Sequence, residues 1–236
     1  MSSDRRIIAL IVAAGTGERL PGVLPKQYQP LLNKPVLLWS IEAFLRNPQI
    51  SAVYTVIHPN HLDFYRAAVG GLELPAAILG GATRRESVRK GLEALVAAAP
   101  DYVLIHDGVR PGLSPRLITG LCDALKSCDA VIPGVEIDDT VRRVIGTLTR
   151  TENRKDLYAV QTPQGFRFEM ILDLHRRYES ESVTDDAAFC EYAGIPVKIA
   201  KGEKMNFKIT YDDDLAMMQL VLADRVAAGL QATDVG

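Results

Sequence analysis

Short apolar runs recur along this chain at Ile7–Ala13, Ala52–Ile57, Ala76–Leu79, Tyr102–His106, Ala130–Val135 and Val197–Ala200, and most are separated by segments with helical spacing. Leu37, Leu38, Trp39, Ile41, Phe44 and Leu45 outline one apolar helical face, and Val88, Leu92, Leu95 and Val96 outline another. Strands alternating with helices predict an α/β fold, a mostly parallel sheet with helices on both faces. In such sheets ligands bind beyond the carboxyl ends of the strands, which is where the loop after Ala13 and the pair His106-Asp107 fall. At 236 residues the chain can bury a sizeable core as one large domain, and the expectation is a single domain over 1–236.

The pattern changes between Ile137 and Tyr158. Two β-prone pieces, Thr140–Val144 and Thr147–Arg150, flank Gly146 and read as a hairpin. Their mixed polar and apolar character suits a β-arm over 137–158 that leaves the main sheet and seeks a partner. From Lys208 onward, Asp212-Asp213-Asp214 precedes an apolar helical pattern, so one of these aspartates is expected to cap the last helix. The small, polar tail beyond Gly229 is expected to fray.

Charge and cysteine usage remove some classes of function. A formal net charge of −2 argues against a general nucleic-acid binder, so any anion site must be local. Cys122, Cys128 and Cys190 form neither an even disulfide set nor a zinc-like cluster, and they read as structural thiols in a reducing compartment. No run is long and apolar enough to span a membrane, and MSSDRR leads straight into the first strand without a signal-peptide pattern. The expected location is the cytoplasm.

The first strand breaks into Ala13-Ala14-Gly15-Thr16-Gly17-Glu18-Arg19-Leu20 and then reaches Pro25-Lys26-Gln27. Small residues at a strand end let backbone N–H groups approach phosphate oxygens, while Arg19 and Lys26 add positive charge, so a nucleoside triphosphate is the natural guest. A dinucleotide fingerprint needs a third glycine where Leu20 stands, and no Gly-Lys-Ser/Thr of a P-loop occurs.

Four further segments complete a pattern. Gly80-Gly81-Ala82-Thr83-Arg84-Arg85-Glu86-Ser87-Val88 precedes the second helical face, and His106-Asp107-Gly108-Val109-Arg110 ends a buried strand. Gln161-Thr162-Pro163-Gln164 and Asn206-Phe207-Lys208-Ile209-Thr210 follow, with Thr184-Asp185-Asp186 between them. Together with the first loop these resemble, over nearly the whole chain, the 2-C-methyl-D-erythritol 4-phosphate cytidylyltransferases. Gly108-Val109 stands where that family usually shows two alanines, and Ala82 where it often carries a polar side chain.

The resemblance implies a Rossmann-like three-layer nucleotidyltransferase fold that joins CTP to a sugar-alcohol phosphate. By resemblance, Ala13, Ala14, Gly15 and Gly17 wrap the triphosphate, and Arg19, Lys26 and Lys208 are catalytic cations. Gly81 and Ser87 address the cytosine, where a pyrimidine leaves space that a purine would overfill. Asp107 lies where Mg²⁺, the triphosphate and the acceptor meet, and Arg110 organises that loop. Thr140, Arg154 and Thr162 hold the acceptor phosphate, and the arm of one subunit completes the acceptor site of a second in a homodimer. Asp185 is read either as a site residue or as a cap for the following helix. His106 reads as a packed strand-end residue, since an ionised acceptor phosphate needs no proton removed. Two alternatives stay open: a cytidylyltransferase for another polyol phosphate such as ribitol 5-phosphate, and a noncatalytic CTP-binding module.

Overall fold

The computed structural model describes residues 5–16, 24–179, 181 and 183–228, so the expectations for Gly17, Arg19 and the tail beyond Gly229 lie outside the described residues. In order, β1 (Ile7–Ala13) is followed by β2 (Pro30–Leu31), β3 (Lys34–Pro35), α1 (Val36–Leu45), β4 (Ala52–Ile57), α2 (Leu62–Val69) and β5 (Ile78–Leu79). Then come α3 (Arg84–Leu95), β6 (Tyr102–Asp107), α4 (Pro115–Ala124) and β7 (Ala130–Glu136). The hairpin β8 (Arg142–Ile145) and β9 (Leu148–Thr151) precedes β10 (Tyr158–Val160) and β11 (Gln164–Arg167). The chain closes with α5 (Phe168–Arg177), α6 (Ala188–Tyr192), β12 (Lys198–Lys201) and α7 (Asp212–Ala227).

β1 lies between β4 and β6, parallel to both, and β5 extends the sheet beyond β4. Because both faces of β1 are covered, its sequence is a continuous apolar run rather than an alternating one. Its odd-numbered residues, such as Ile7, Ala9 and Ile11, pack with α1, α2 and α4, and its even-numbered Ile8 and Leu10 pack with α3, α5 and α6. The result is the expected three-layer arrangement. A smaller apolar cluster joins Met218 and Leu222 of α7 to Leu31, Val36 and Ile209.

The sheet is mixed where the sequence reading was incomplete. β11 runs antiparallel between β6 and β7, β10 continues it along β7, and β12 pairs parallel with the opposite edge of β7. The β10 and β11 registers do not join smoothly. Val160 faces Gly134 and Gly165 faces Val131, so five steps of one strand answer three of the other. The two extra residues push the segment around Thr162 out of the ladder and toward the end of β6. The strand expected over Ala76–Leu79 shortens to Ile78–Leu79, because only these residues find partners, Val56 and Ile57, at this edge.

The hairpin forms as expected, with Ile145 facing Leu148 across Gly146 and Thr147. Gly146 has φ +61°, the conformation that a tight two-residue turn requires at its first position. Every residue of β8 and β9 is exposed. At the last helix Asp214 accepts hydrogen bonds from the N–H groups of Thr210 and Tyr211, satisfying donors at the helix start.

Candidate active site

The carboxyl end of β6 delivers Asp107 to a cluster of opposite charges. Arg84 donates from Nε to one carboxylate oxygen at 3.0 Å, and Lys208 Nζ reaches the other at 3.0 Å. Arg110 Nε lies 3.6 Å from that second oxygen. Burial pushes the Asp107 carboxyl up, but the charges of Arg84, Lys208 and Arg110 outweigh it and hold the group well below the usual carboxylate range. Asp107 is therefore a fixed negative charge enclosed by three cations.

Local structure brings each cation there. Thr83 Oγ1 accepts from the Glu86 N–H and starts α3, which sets Arg84 in the first turn, facing the strand ends. Ile209 N–H donates to Val109 O, so the segment 206–210 lies along the loop after β6 and carries Lys208 to Asp107. Arg110 donates to Asn206 O at 3.0 Å and ties the same two segments together.

Arg84 has a second anchor. Its Nη1 lies 2.9 Å from Asp186 Oδ2, and the other Asp186 oxygen accepts from His175 Nε2 at 3.1 Å. Asp186 is 1% exposed, and its carboxyl stays low because Arg84 and the His175 hydrogen bond outweigh the effect of burial. Burial alone would make Arg84 less basic, whereas Asp186 and Asp107 together raise its pKa. His175, Asp186, Arg84 and Asp107 thus form one continuous brace running from the core to the strand ends.

Thr162 fills the remaining side of the site. Asp107 N–H donates to Thr162 Oγ1 at 3.0 Å, and the Thr162 hydroxyl is 3.0 Å from His106 Nδ1. His106 Nε2 is 3.3 Å from Arg110 O. One proton arrangement satisfies all three contacts: the Thr162 hydroxyl donates to Nδ1, and Nε2–H donates to Arg110 O. His106 is fully buried, and burial lowers its pKa to about 3, so it is a neutral structural imidazole as the sequence suggested.

Around this cluster the two glycine-bearing loops meet. A Cβ on Gly80 would come within 2.6 Å of the Ala14 Cβ, so the loops after β1 and β5 touch only because both residues are small. Gly15 is exposed, while Ala13 and Ala14 are buried. Gln27 Nε2 donates to both Ala13 O and Gly15 O at 2.9 Å and shapes the loop. Lys26 is 8% exposed, and its Nζ donates to Ile209 O at 3.4 Å, beside Lys208 in the same segment. Ser87 turns inward: its hydroxyl accepts from Gly81 N–H at 3.0 Å and donates to Thr83 O at 2.8 Å. It supports the loop by which Gly81 is presented.

Not every expected site residue is gathered here. Thr140 and Arg154 are exposed at the base of the arm, and no hydrogen bond or ion pair among the described residues joins either to the Asp107 cluster. Asp138 beside them is paired with Lys204 and is further held down by the charge of Arg154. Asp185 caps α6, accepting from Ala188 N–H at 3.2 Å and from Gln164 Nε2 at 2.8 Å. The sequence reading passed over Gln27 and Arg84 as site residues. Gln27 follows Lys26 directly, which was the signal available for it.

A family model for 2-C-methyl-D-erythritol 4-phosphate cytidylyltransferase matches residues 7–224, from the first strand well into the last helix. The chain belongs to this family. Among cytidylyltransferase relatives, the bifunctional enzyme IspD/IspF of Nitrobacter winogradskyi is 41% identical over 228 residues, 94% of this chain and 57% of the relative. The corresponding enzyme of Rhodospirillum rubrum is 45% identical over 212 residues, 89% of this chain and 55% of the relative. The chain therefore spans little more than half the length of these curated relatives. The crystal structure of 4-diphosphocytidyl-2C-methyl-D-erythritol synthase from Anaerococcus prevotii superposes with a TM-score of 0.84 at 29% identity, covering 94% of this chain and all of that one. The Thermus thermophilus cytidylyltransferase gives 0.72 at 28% identity, covering 91% of this chain and 98% of that one.

Proposed function

We propose that this cytidylyltransferase-family enzyme transfers CMP from CTP to 2-C-methyl-D-erythritol 4-phosphate, forming 4-diphosphocytidyl-2-C-methyl-D-erythritol and pyrophosphate. The observation that carries the reading is the Asp107 cluster, with Arg84, Arg110 and Lys208 converging on one carboxylate at the strand ends beside the first loop.

An ionised acceptor phosphate oxygen attacks the α-phosphorus of CTP in line, the bond to the bridging oxygen breaks, and pyrophosphate leaves with that electron pair. No general base is needed, which agrees with a buried, neutral His106. Lys26, Lys208 and Arg19 stabilise charge that builds on the equatorial oxygens and the leaving group. Ala13, Ala14, Gly15 and Gly17 supply the backbone cradle, and Gly81 presents its loop to the cytosine while Ser87 holds that loop in shape. Asp107 orients Lys208 and Arg110 through its own carboxylate.

The donor set fits Mg²⁺ brought in on phosphate. Asp107 offers one hard, firmly ionised carboxylate, and no group of three His, Cys, Asp or Glu suited to a metal occurs among the described residues. Mg²⁺ would contact Asp107 and the triphosphate, and it would supply charge neutralisation.

The acceptor side is completed by a second subunit in a homodimer. Thr140 and Arg154 lie on an arm whose Val144 and Leu148 are 71% and 72% exposed, so these apolar residues gain from being covered. Arg154 would grip the acceptor phosphate of the partner site and Thr140 would add a hydroxyl. Thr162 serves the same site from behind, fixing the backbone of Asp107. We infer a cytoplasmic location, a reading supported by three free cysteines.

Pyrophosphate release from CTP and Mg²⁺ tests the reading with methylerythritol phosphate, with ribitol 5-phosphate and with no acceptor. Release that depends on methylerythritol phosphate is expected. Release with ribitol phosphate alone moves the enzyme to another acceptor, and release with neither leaves a CTP-binding module.

A further inference from the structure

A cavity of about 1030 Å³ opens between α1, α4 and α7, and no step of the proposed reaction uses it. Its apolar lining includes Leu32, Trp39, Leu113, Met205, Leu222 and Val226. The charged residues of the lining are unequally matched. Glu42 is shared by Lys34 at 2.5 Å and Arg46 at 2.8 Å, while Glu203 accepts from the Ser114 hydroxyl at 2.7 Å. Lys204 turns to Asp138. Arg116 and Arg225 remain, and neither has a carboxylate within 4.0 Å among the described residues.

Arg225 is the more telling of the two. It is partly buried, and its Nη1 donates to Gly112 O at 3.1 Å, which leaves most of the guanidinium fork without an acceptor among the described residues. Burial lowers its pKa by more than the charge of Glu203, across the same lining, raises it, so the charge is only partly compensated there. A partly desolvated guanidinium at the edge of an apolar cavity is matched by one anionic group on an apolar body.

We propose that this cavity binds a small amphipathic anion, an alkyl or aryl chain bearing one carboxylate or phosphate, with its headgroup on Arg225 and Arg116 and its chain along Trp39, Leu113 and Leu222. The site adjoins the reaction centre through packed backbone. Arg225 holds Gly112 O, a Cβ on Gly112 would lie 2.0 Å from Met205 O, and the next residue, Asn206, accepts from Arg110. A headgroup that draws on Arg225 therefore acts on the two segments that carry Arg110 and Lys208. The coupling rests on the cytidylyltransferase reading, whereas the binding does not.

Trp39 is the single tryptophan of the chain and lines the cavity, so its emission reports occupancy without any assay of turnover. The full chain is titrated with octanoate and with octyl phosphate below their micelle concentrations, and with octanol as the neutral control. The expected result is a saturable change with at least one anion, a midpoint at least tenfold higher for octanol, and a tenfold or greater loss of anion affinity in Arg225→Met with octanol unchanged. The tighter anion identifies the headgroup. Arg116→Met, with a smaller expected loss, and the salt dependence of the native protein carry the test if Arg225→Met does not fold. Equal binding of octanol and both anions, unchanged anion binding in a folded Arg225→Met protein, or no saturable change overturns the site. A change in size on titration assigns the signal to association of two chains and also overturns it. Turnover should shift with the same midpoint as the emission, and binding that leaves turnover untouched refutes the coupling alone.

Discussion

The end of β6 and the β8–β9 arm are both rich in arginine, yet burial makes them different objects. At β6 the Asp107 side chain is 10% exposed, and Arg84 is braced from behind by Asp186. On the arm, Arg143 and Arg150 share Glu152 at 2.8 and 3.3 Å while remaining 63% and 71% exposed. Water screens the second set and leaves each pair little net worth, whereas breaking a buried pair on one side typically costs about 3–5 kcal/mol. The chain organises the first region by its own folding. The second exposes Val144, Ile145 and Leu148, the residues that the proposed homodimer would cover.

The largest effect should follow from Asp107→Asn, which leaves three cations facing a neutral amide. Turnover is expected to fall by about 10²-fold or more, with a stability loss of about 3 kcal/mol; a variant with native turnover breaks the distinction between the two regions. Next comes Asp186→Asn, which touches no substrate but unpairs Arg84 and His175 together. Denaturant melts should show a loss of about 2–3 kcal/mol, and kcat should fall more than KM rises if the brace positions Asp107.

Acid should also separate the two regions. Burial holds the folded pKa of His106 at about 3, against an ordinary value of 6.5, so below pH 6.5 the unfolded chain binds a proton that the folded chain refuses. Stability then falls with pH, by about 2 kcal/mol between pH 7 and pH 5. His61, also lowered by burial, adds in the same direction. The lowered carboxyls of Asp107 and Asp186 extend the loss below about pH 4, once unfolded aspartates protonate. A His106→Gln protein should lose most of the slope between pH 6.5 and pH 5, and an unchanged slope removes His106 as its source. The smallest stability change belongs to the arm. Ile145→Asp with Leu148→Asp should alter the stability of the isolated subunit by only about 0.5 kcal/mol, while in sedimentation the proposed dimer is expected to dissociate; a dimer that persists removes the arm as its contact.

Much of the first region could be read in the sequence because its parts announce themselves locally. A doubly covered strand such as β1 is a continuous apolar run, and α1 and α3 carry 3.6-residue periodicity, so their positions followed from pattern alone. β10 and β11 were not legible. They are three and four residues long, and Pro163 and Gly165 interrupt or weaken any strand signal. Arg84 was seen as part of the segment after Gly81, but its two carboxylate partners arrive on β6 and before α6, and nothing near Arg84 in sequence points to either. The same distance effect hid His175, whose partner is fixed only once α5 and α6 pack.

Co-expression of two disabled chains tests the central claim most directly, because it asks both regions to work across one interface. Lys208→Ala removes a cation from the buried cluster but keeps the arm, and Arg154→Ala does the reverse. If the arm of one subunit completes the site of the other, random pairing yields one intact site in each mixed dimer and restores about a quarter of native CTP turnover. Activity no greater than that of the separate variants would contradict the account and return Arg154 to its own subunit or to the surface.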